Sequence, residues 1–119
     1  MNQIINFKQD YIIIFENEIK LPIKLKNLKD IFGQGIAKEL NNGKKIYVWE
    51  QYGIYVWLDE DIATGFRINL SIKDFELCNA NFQGQILIND KDFNNVKWKN
   101  DKYNIVKECK IGIFSLFLE

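Results

Sequence analysis

The sequence predicts an α+β fold. It reads as a single domain over residues 1–119, mainly antiparallel β-sheet, with one short amphipathic helix packed on one face. One segment carries apolar residues at helical spacing, whereas most of the remainder breaks into short runs of β-branched and aromatic residues. Strands precede that helix and follow it in larger number, an order typical of α+β rather than alternating β-α-β architecture. The tetrapeptide Ile46-Tyr47-Val48-Trp49 recurs almost unchanged as Ile54-Tyr55-Val56-Trp57 across a short glycine-ended loop, which reads as a hairpin. At 119 residues the chain is long enough to bury one core.

Taken in order, Ile4 to Phe7 reads as a short strand or lead-in, and Tyr11 to Phe15 as a strand covered on both faces. Glu16-Asn17-Glu18 is the expected turn, because asparagine tolerates unusual backbone angles. Ile19 to Leu21 pairs back, and Pro22 ends it for want of an N–H. Leu25, Leu28, Ile31 and Phe32 recur at helical spacing, so Lys24 to Phe32 reads as the helix, ended by Gly33 and expected to pack on the aliphatic face of the sheet. Gly33-Gln34-Gly35 reads as a flexible exit. Ile36 to Leu40 is ambiguous between strand and turn, and Asn41-Asn42-Gly43 is a strong turn signal.

The hairpin admits a register argument. A three-residue loop, Gln51-Tyr52-Gly53, places Gly53 in the left-handed region, where glycine meets no steric penalty. It pairs Trp49 with Tyr55, Val48 with Val56 and Tyr47 with Trp57. Side chains alternate with period two. Ile46, Val48, Ile54, Val56 and Leu58 then share one face, and Tyr47, Trp49, Tyr55 and Trp57 share the other. Phe66 to Ile72, after a loop from Asp59 to Gly65, alternates as a third strand. Its Phe66, Ile68, Leu70 and Ile72 extend the aliphatic face, with Arg67 and Asn69 beside the aromatics. Beyond it, Lys73 to Asn81 is polar, anchored by Phe75, Leu77 and Cys78. Gln85 to Asn89 is a strand, Asp90 to Asn104 a polar connection anchored by Trp98, and Ile105 to Cys109 a further strand. Ile111 to Leu118 is apolar on both faces and belongs in the middle of a sheet.

Composition narrows the function classes. Sixteen Lys and Arg balance sixteen Asp and Glu. That lack of a basic surplus argues against nucleic acid as a partner. No apolar run reaches the ~18–20 residues that a membrane-spanning helix needs. The start, Met1 to Asn6, lacks the charged head and long apolar centre of a signal peptide, so a cytoplasmic location is expected. Cys78 and Cys109 either pair or, as expected in an unsignalled chain, stay reduced and buried.

Histidine is absent, which removes Ser-His-Asp and Cys-His catalysis and histidine metal ligation. No phosphate-binding glycine loop is present, and no cofactor is expected. Asp59-Glu60-Asp61 is the densest acid cluster. It reads as a solvated connection, with a lure for a basic partner as the functional alternative. Asp90, Asp92, Asn94 and Asp101 follow calcium-loop spacing, but Asn95 replaces the turn glycine and the final glutamate is missing, so an ordinary polar loop is expected.

The aromatic block is the sharpest feature. Tyr47, Trp49, Tyr55 and Trp57, with Tyr52 on the turn and Arg67 alongside, form either a face covered by another segment or a recognition surface; Trp, Tyr and Arg dominate interface hot spots. The expected partner-binding set is therefore Tyr47, Trp49, Tyr52, Tyr55, Trp57, Asp59, Glu60, Asp61 and Arg67, with no catalytic or metal-binding residue.

Asp10-Tyr11-Ile12-Ile13, Ile19-Lys20-Leu21-Pro22, Leu25 to Gly33, Trp49 to Ile54, Phe82 to Asn89 and Ile111-Gly112-Ile113-Phe114 together resemble a family of small bacterial proteins of unknown function. Members of that family are often encoded beside polymorphic or contact-dependent toxins. The resemblance implies an immunity protein: a small cytoplasmic, non-catalytic binder of a cognate toxin. The alternative is a structural or regulatory module that binds a peptide or forms a homodimer. A carboxylate-based enzyme is a third class.

Overall fold

The computed structural model describes residues 3–8, 10–69, 80, 82–92, 104–108 and 114–115. They form two sheets rather than one, with a single short helix and mainly antiparallel pairing.

Isoleucine alternation builds the first sheet. β1 (Ile4–Phe7) pairs antiparallel with β2 (Ile12–Ile14), and β3 (Asn17–Ile19) follows on the outside. On its other side β1 pairs in parallel with a distant strand, Gln85–Ile88, placing Ile86 opposite Ile5 and Ile88 opposite Phe7. Ile5, Phe7, Ile12, Ile14, Ile19, Ile86 and Ile88 therefore share one face, and all are buried. The turn between β2 and β3 is Phe15-Glu16, with φ of 48° and 72°, not the Glu16-Asn17-Glu18 expected from residue type. Two positive φ values are the signature of a two-residue turn whose twist matches the strands. Asn17 instead opens β3, and its amide donates to the carbonyls of Ile14 (3.2 Å) and Phe15 (2.9 Å). Phe15 accepts its backbone conformation while its ring enters the core, 5.2 Å from that of Phe32.

The second sheet starts with β4 (Ile23–Lys24) and the helix α1 (Leu25–Phe32). Gly33, at φ 86°, ends the helix as expected, its N–H donating to Lys29 O at 2.8 Å. The ambiguous stretch after it is a strand, β5 (Ile36–Glu39), which turns through Asn41-Asn42-Gly43 into β6 (Lys45–Trp49). Leu40 N donates to Lys44 O, Gly43 N donates to Leu40 O, and Gly43 has φ 83°. The three-residue, glycine-ended loop foreseen for Gln51–Gly53 thus occurs one hairpin earlier. β7 (Ile54–Asp59) and β8 (Ile62–Asn69) continue the sheet. Between them Glu60-Asp61 makes a tight turn where a seven-residue loop from Asp59 to Gly65 was expected.

β9 (Gln85–Ile88) and β10 (Lys91–Asp92) complete the first sheet, in the order β10-β9-β1-β2-β3. β11 (Asn104–Glu108) pairs with β8, and β12 (Phe114–Ser115) with β11. The second sheet runs β12-β11-β8-β7-β6-β5, with β4 also against β8. Among the described strands β12 therefore lies at the end of the order, not in the middle where its apolar run had placed it. Leu70, Ile72, Phe75, Leu77, Cys78, Trp98 and Cys109 lie outside the described residues, as do Asn94 and Asp101 of the calcium-like spacing. Among the described residues no group of acids or cysteines stands close enough to hold a metal ion. Among them, too, no helix is long and apolar enough to cross a membrane.

One core joins the two sheets. Ile5, Phe7, Ile12 and Ile14 meet Leu28 and Phe32 of the helix and Trp49, Ile54, Val56, Phe66 and Ile68 of the second sheet. On the reverse of β1, Asn6 reaches the β9–β10 turn. Its amide donates to Asp90 Oδ1 at 2.8 Å and its carbonyl oxygen accepts from Asp90 N at 3.2 Å, while the Lys8 ammonium pairs with Asp90 Oδ2. These bonds, the one from Lys8 foremost, hold the Asp90 carboxyl below its ordinary value of 3.8. A depressed carboxyl favours the folded state above the unfolded-state pKa, and that contribution is lost as pH falls through the folded-state value. Titration followed by NMR should place Asp90 below 3.8 in the native chain and return it toward that value in Lys8→Ala and Asn6→Ala. An Asp90 unmoved by both substitutions would mean the clasp does not form.

Candidate functional site

The candidate site depends on how β6 pairs with β7. Trp49 lies opposite Ile54, Val48 opposite Tyr55, Tyr47 opposite Val56, and Ile46 opposite Trp57. The loop is therefore four residues, Glu50 to Gly53, one longer than expected. Gly53 does adopt the left-handed conformation, at φ 69°. Both Tyr52 N and Gly53 N donate to Trp49 O, at 3.0 and 3.1 Å. A glycine-ended turn suits either loop length, so the glycine alone does not choose between them.

A shift of one residue moves a whole strand's side chains to the opposite face. The four rings are consequently split. Tyr47 and Trp49 lie with Ile54, Val56, Phe66 and Ile68 toward the helix, while Tyr55 and Trp57 lie with Ile46 and Val48 on the reverse. The expected separation of aliphatic from aromatic residues fails at β6. It holds between β7 and β8, where Phe66 opposes Val56 and Arg67 opposes Tyr55.

What selects this register is visible at the ring tips. Trp49 is fully buried, and its indole N–H donates to Gly33 O at 2.9 Å. The Tyr47 hydroxyl accepts from Gly35 N at 2.8 Å and donates to Gln34 Oε1 at 3.3 Å. The Gly33-Gln34-Gly35 link is thus not a loose exit but the seat for both tips. A Cβ at Gly35 would collide with the carbonyl oxygen of Val48 and with both rings. The Tyr47 ring also lies 4.9 Å from the Lys29 ammonium, and Tyr52 packs on Phe15 and Phe32 at 5.3 and 5.5 Å. Helix α1 accordingly rests on Tyr47 and Trp49 together with Ile54 and Val56, not on a purely aliphatic face.

On the reverse face Tyr55 is fully buried and Trp57 half-buried. The Arg67 guanidinium donates to the Tyr55 hydroxyl at 3.0 Å, and Arg67 Nε is buried without a hydrogen-bond partner among the described residues. Lys44 reaches over the Trp57 ring at 5.6 Å, and Gly65 leaves the space that this ring fills. Three of the four rings are interior. Of the two readings open for the aromatic block, a covered face or a recognition surface, neither holds for all four together, and they do not form one continuous exposed surface. Asp59, Glu60 and Asp61 stay together and exposed at the tip of the β7–β8 hairpin. That tip is held firm: Asp61 O accepts from Leu25 N at 2.8 Å, and Glu60 has φ 58°.

The structure also directs attention to β5, which the sequence reading left undecided. Ile36 is 52 % exposed, the large hydrophobic side chain most open to solvent among the described residues. The signal was present in Asn41-Asn42-Gly43, a hairpin turn that requires a strand on each side.

Two packed sheets with one helix, a half-buried Trp57 and an exposed acidic tip define a small α+β domain. The chain belongs to a family described as a domain of unknown function, DUF7738, whose model matches residues 4–103. No curated protein and no solved structure matches it.

The split register has a direct test in urea unfolding. Trp49→Ala should cost about 3–5 kcal/mol, as for a fully buried large aromatic, and Trp57→Ala about 1–2 kcal/mol, because its ring is half-open. Trp49→Phe should still cost about 1–3 kcal/mol, through the Gly33 carbonyl left without its donor. Equal costs for Trp49→Ala and Trp57→Ala would contradict the split.

Proposed function

We propose that this chain is a non-catalytic immunity protein that binds and neutralises a cognate bacterial toxin, acting in the cytoplasm. The observation that carries the reading is the acidic tip, Asp59-Glu60-Asp61. It is exposed, tied to the helix start through Leu25, and projects from a chain of zero net charge. A fixed acidic patch on a chain whose other charges carry a surplus of three basic residues suits encounter with a basic partner surface. Complementary charge raises association rates and rejects wrong partners without requiring a large apolar interface. The sequence resemblance to proteins encoded beside toxins supports the same reading. The DUF7738 description itself carries no activity and no partner.

The burial of Tyr47, Trp49 and Tyr55 changes how such a protein would work. These rings shape the scaffold from within, and contact falls to Asp59, Glu60 and Asp61, with half-buried Trp57 and Arg67 on the reverse face of the same hairpin. Neutralisation would proceed by covering the toxin's basic site.

Co-expression with the product of the neighbouring gene, followed by affinity capture and stopped-flow association, tests the proposal. The wild type should capture that product. Asp59→Lys combined with Glu60→Lys and Asp61→Lys should leave the circular dichroism spectrum unchanged and slow association about tenfold or more at low salt. Failure of the wild type to bind a neighbouring gene product would remove the toxin reading. Binding unaffected by the three reversals would move the contact elsewhere.

A further inference from the structure

β5 forms the outer edge of the second sheet, and nothing among the described residues pairs with its far side. At the turn, Leu40 N donates to Lys44 O at 2.7 Å. Antiparallel strands alternate the direction of their backbone groups, so Ile36 and Lys38 direct theirs to β6, and Ala37 and Glu39 direct theirs outward. Natural edges are guarded by proline, by bulges or by charge projecting from the strand. β5 has no proline and keeps an unbroken register with β6. Its lysine, Lys38, is turned inward to Glu50 at 3.2 Å, which leaves Glu39, at the end of the strand, as its one exposed charge. The other described edges differ: β10 is two residues long, and β3 exposes Asn17 and Glu18.

We infer that β5 pairs with β5 of a second copy of this chain, antiparallel, about a two-fold axis at Ala37. The strand complements itself in that register. The outward groups of Ala37 meet those of Ala37 in the other copy. Ile36 faces Lys38 and lies along its methylene stem, which covers the exposed isoleucine. Glu39 faces Gly35, whose N–H stays with the Tyr47 hydroxyl so that only its carbonyl is left for the pairing. The competing two-fold axis, at Lys38, sets two lysines directly opposite and is disfavoured, as like charges on facing strands are. A two-fold contact closes on itself, giving a dimer rather than a fibre. An interface built on one short strand stays below ~1,000 Å² and implies a Kd on the order of 100 μM. The surface is separate from the acidic tip, and the inference stands whether or not a toxin is the partner.

Sedimentation velocity on the full chain, from about 20 μM to 1 mM around that Kd, is the test. The wild type should rise from the monomer mass toward twice that value. Ala37→Pro removes an outward N–H that β6 does not use, and should remain monomeric throughout with an unchanged circular dichroism spectrum. Two further variants keep the backbone intact and probe the register. Ile36→Lys faces Lys38 of the other copy with a like charge, and Ile36→Glu faces it with an opposite one. Ile36→Glu should associate about tenfold more tightly than Ile36→Lys at low salt. A wild type that stays monomeric at the highest concentration overturns the inference. So does indifference of the dimer to both Ile36 variants. If the chain is monomeric but Ala37→Pro abolishes capture of the neighbouring gene product, the edge takes a foreign strand and self-pairing is wrong.

Discussion

The indole N–H of Trp49, donating to the carbonyl of Gly33 at 2.9 Å, is the constraint on which the second sheet depends. A tryptophan buried that deeply needs a partner for its one donor, and an unsatisfied buried polar group costs about 1–3 kcal/mol. The helix end supplies one, because its last carbonyls have no intrahelical acceptor role to fill. Tyr47, two residues earlier on the same face, finds Gly35 and Gln34 in the same link. Both tips can reach that link only if β6 turns this face toward α1. The register of β6 against β7, the loop length and the side on which every ring of the hairpin lies all follow from that.

Packing then reinforces the choice. Phe32 sits 4.9 Å from Trp49 and 6.4 Å from Phe66, and Phe15 closes on Phe32 from the first sheet. Aromatic pairs at such separations each contribute about 0.5–1.5 kcal/mol beyond the area they bury. The helix is thereby the joint between two sheets that otherwise belong to different parts of the chain. The joint also explains why Phe15 sits in a turn at φ 48°: its ring is needed in the cluster.

Much of this was legible in the sequence, and what was not has an identifiable cause. Leu25 to Phe32 announced the helix by spacing and Gly33 announced its end. Gln85 to Ile88, Phe66 and Ile68 showed their buried faces by alternation, and Arg67 beside Tyr55 followed from the β7–β8 pairing. The β6 register did not follow, because sorting side chains into aliphatic and aromatic sets ignores that Tyr and Trp carry polar ends. A ring with a polar end is drawn toward whatever backbone lacks a partner, and here that backbone is a link twelve to sixteen residues upstream. Likewise the parallel pairing of β1 with β9 joins residues about eighty positions apart, a separation at which local patterns say nothing. The exposure of Asp59 to Asp61 was legible, because three acids around a tight turn have little to do but face water, whereas the burial of Tyr47, Trp49 and Tyr55 was not.

The consequence for recognition is a division of labour set by burial. Rings that fold the chain are not available to touch a partner, so contact passes to whatever the fold leaves outside. Successive turns of the β5–β8 meander fall at alternate ends of the sheet, so the Asn41–Gly43 and Glu60–Asp61 turns share one end and the Glu50–Gly53 turn lies at the other. The shared end therefore carries Lys44 above Trp57 and, on the neighbouring strand β7 and its turn, the acidic tip. Charges held by two turns at one end of a rigid sheet keep a constant spacing, and a constant spacing lets a neutral protein present a directional field. Long flexible side chains on a loop would lose that field to averaging and to screening beyond about 8–10 Å. The buried rings, by stiffening the sheet that carries these turns, serve recognition without making contact.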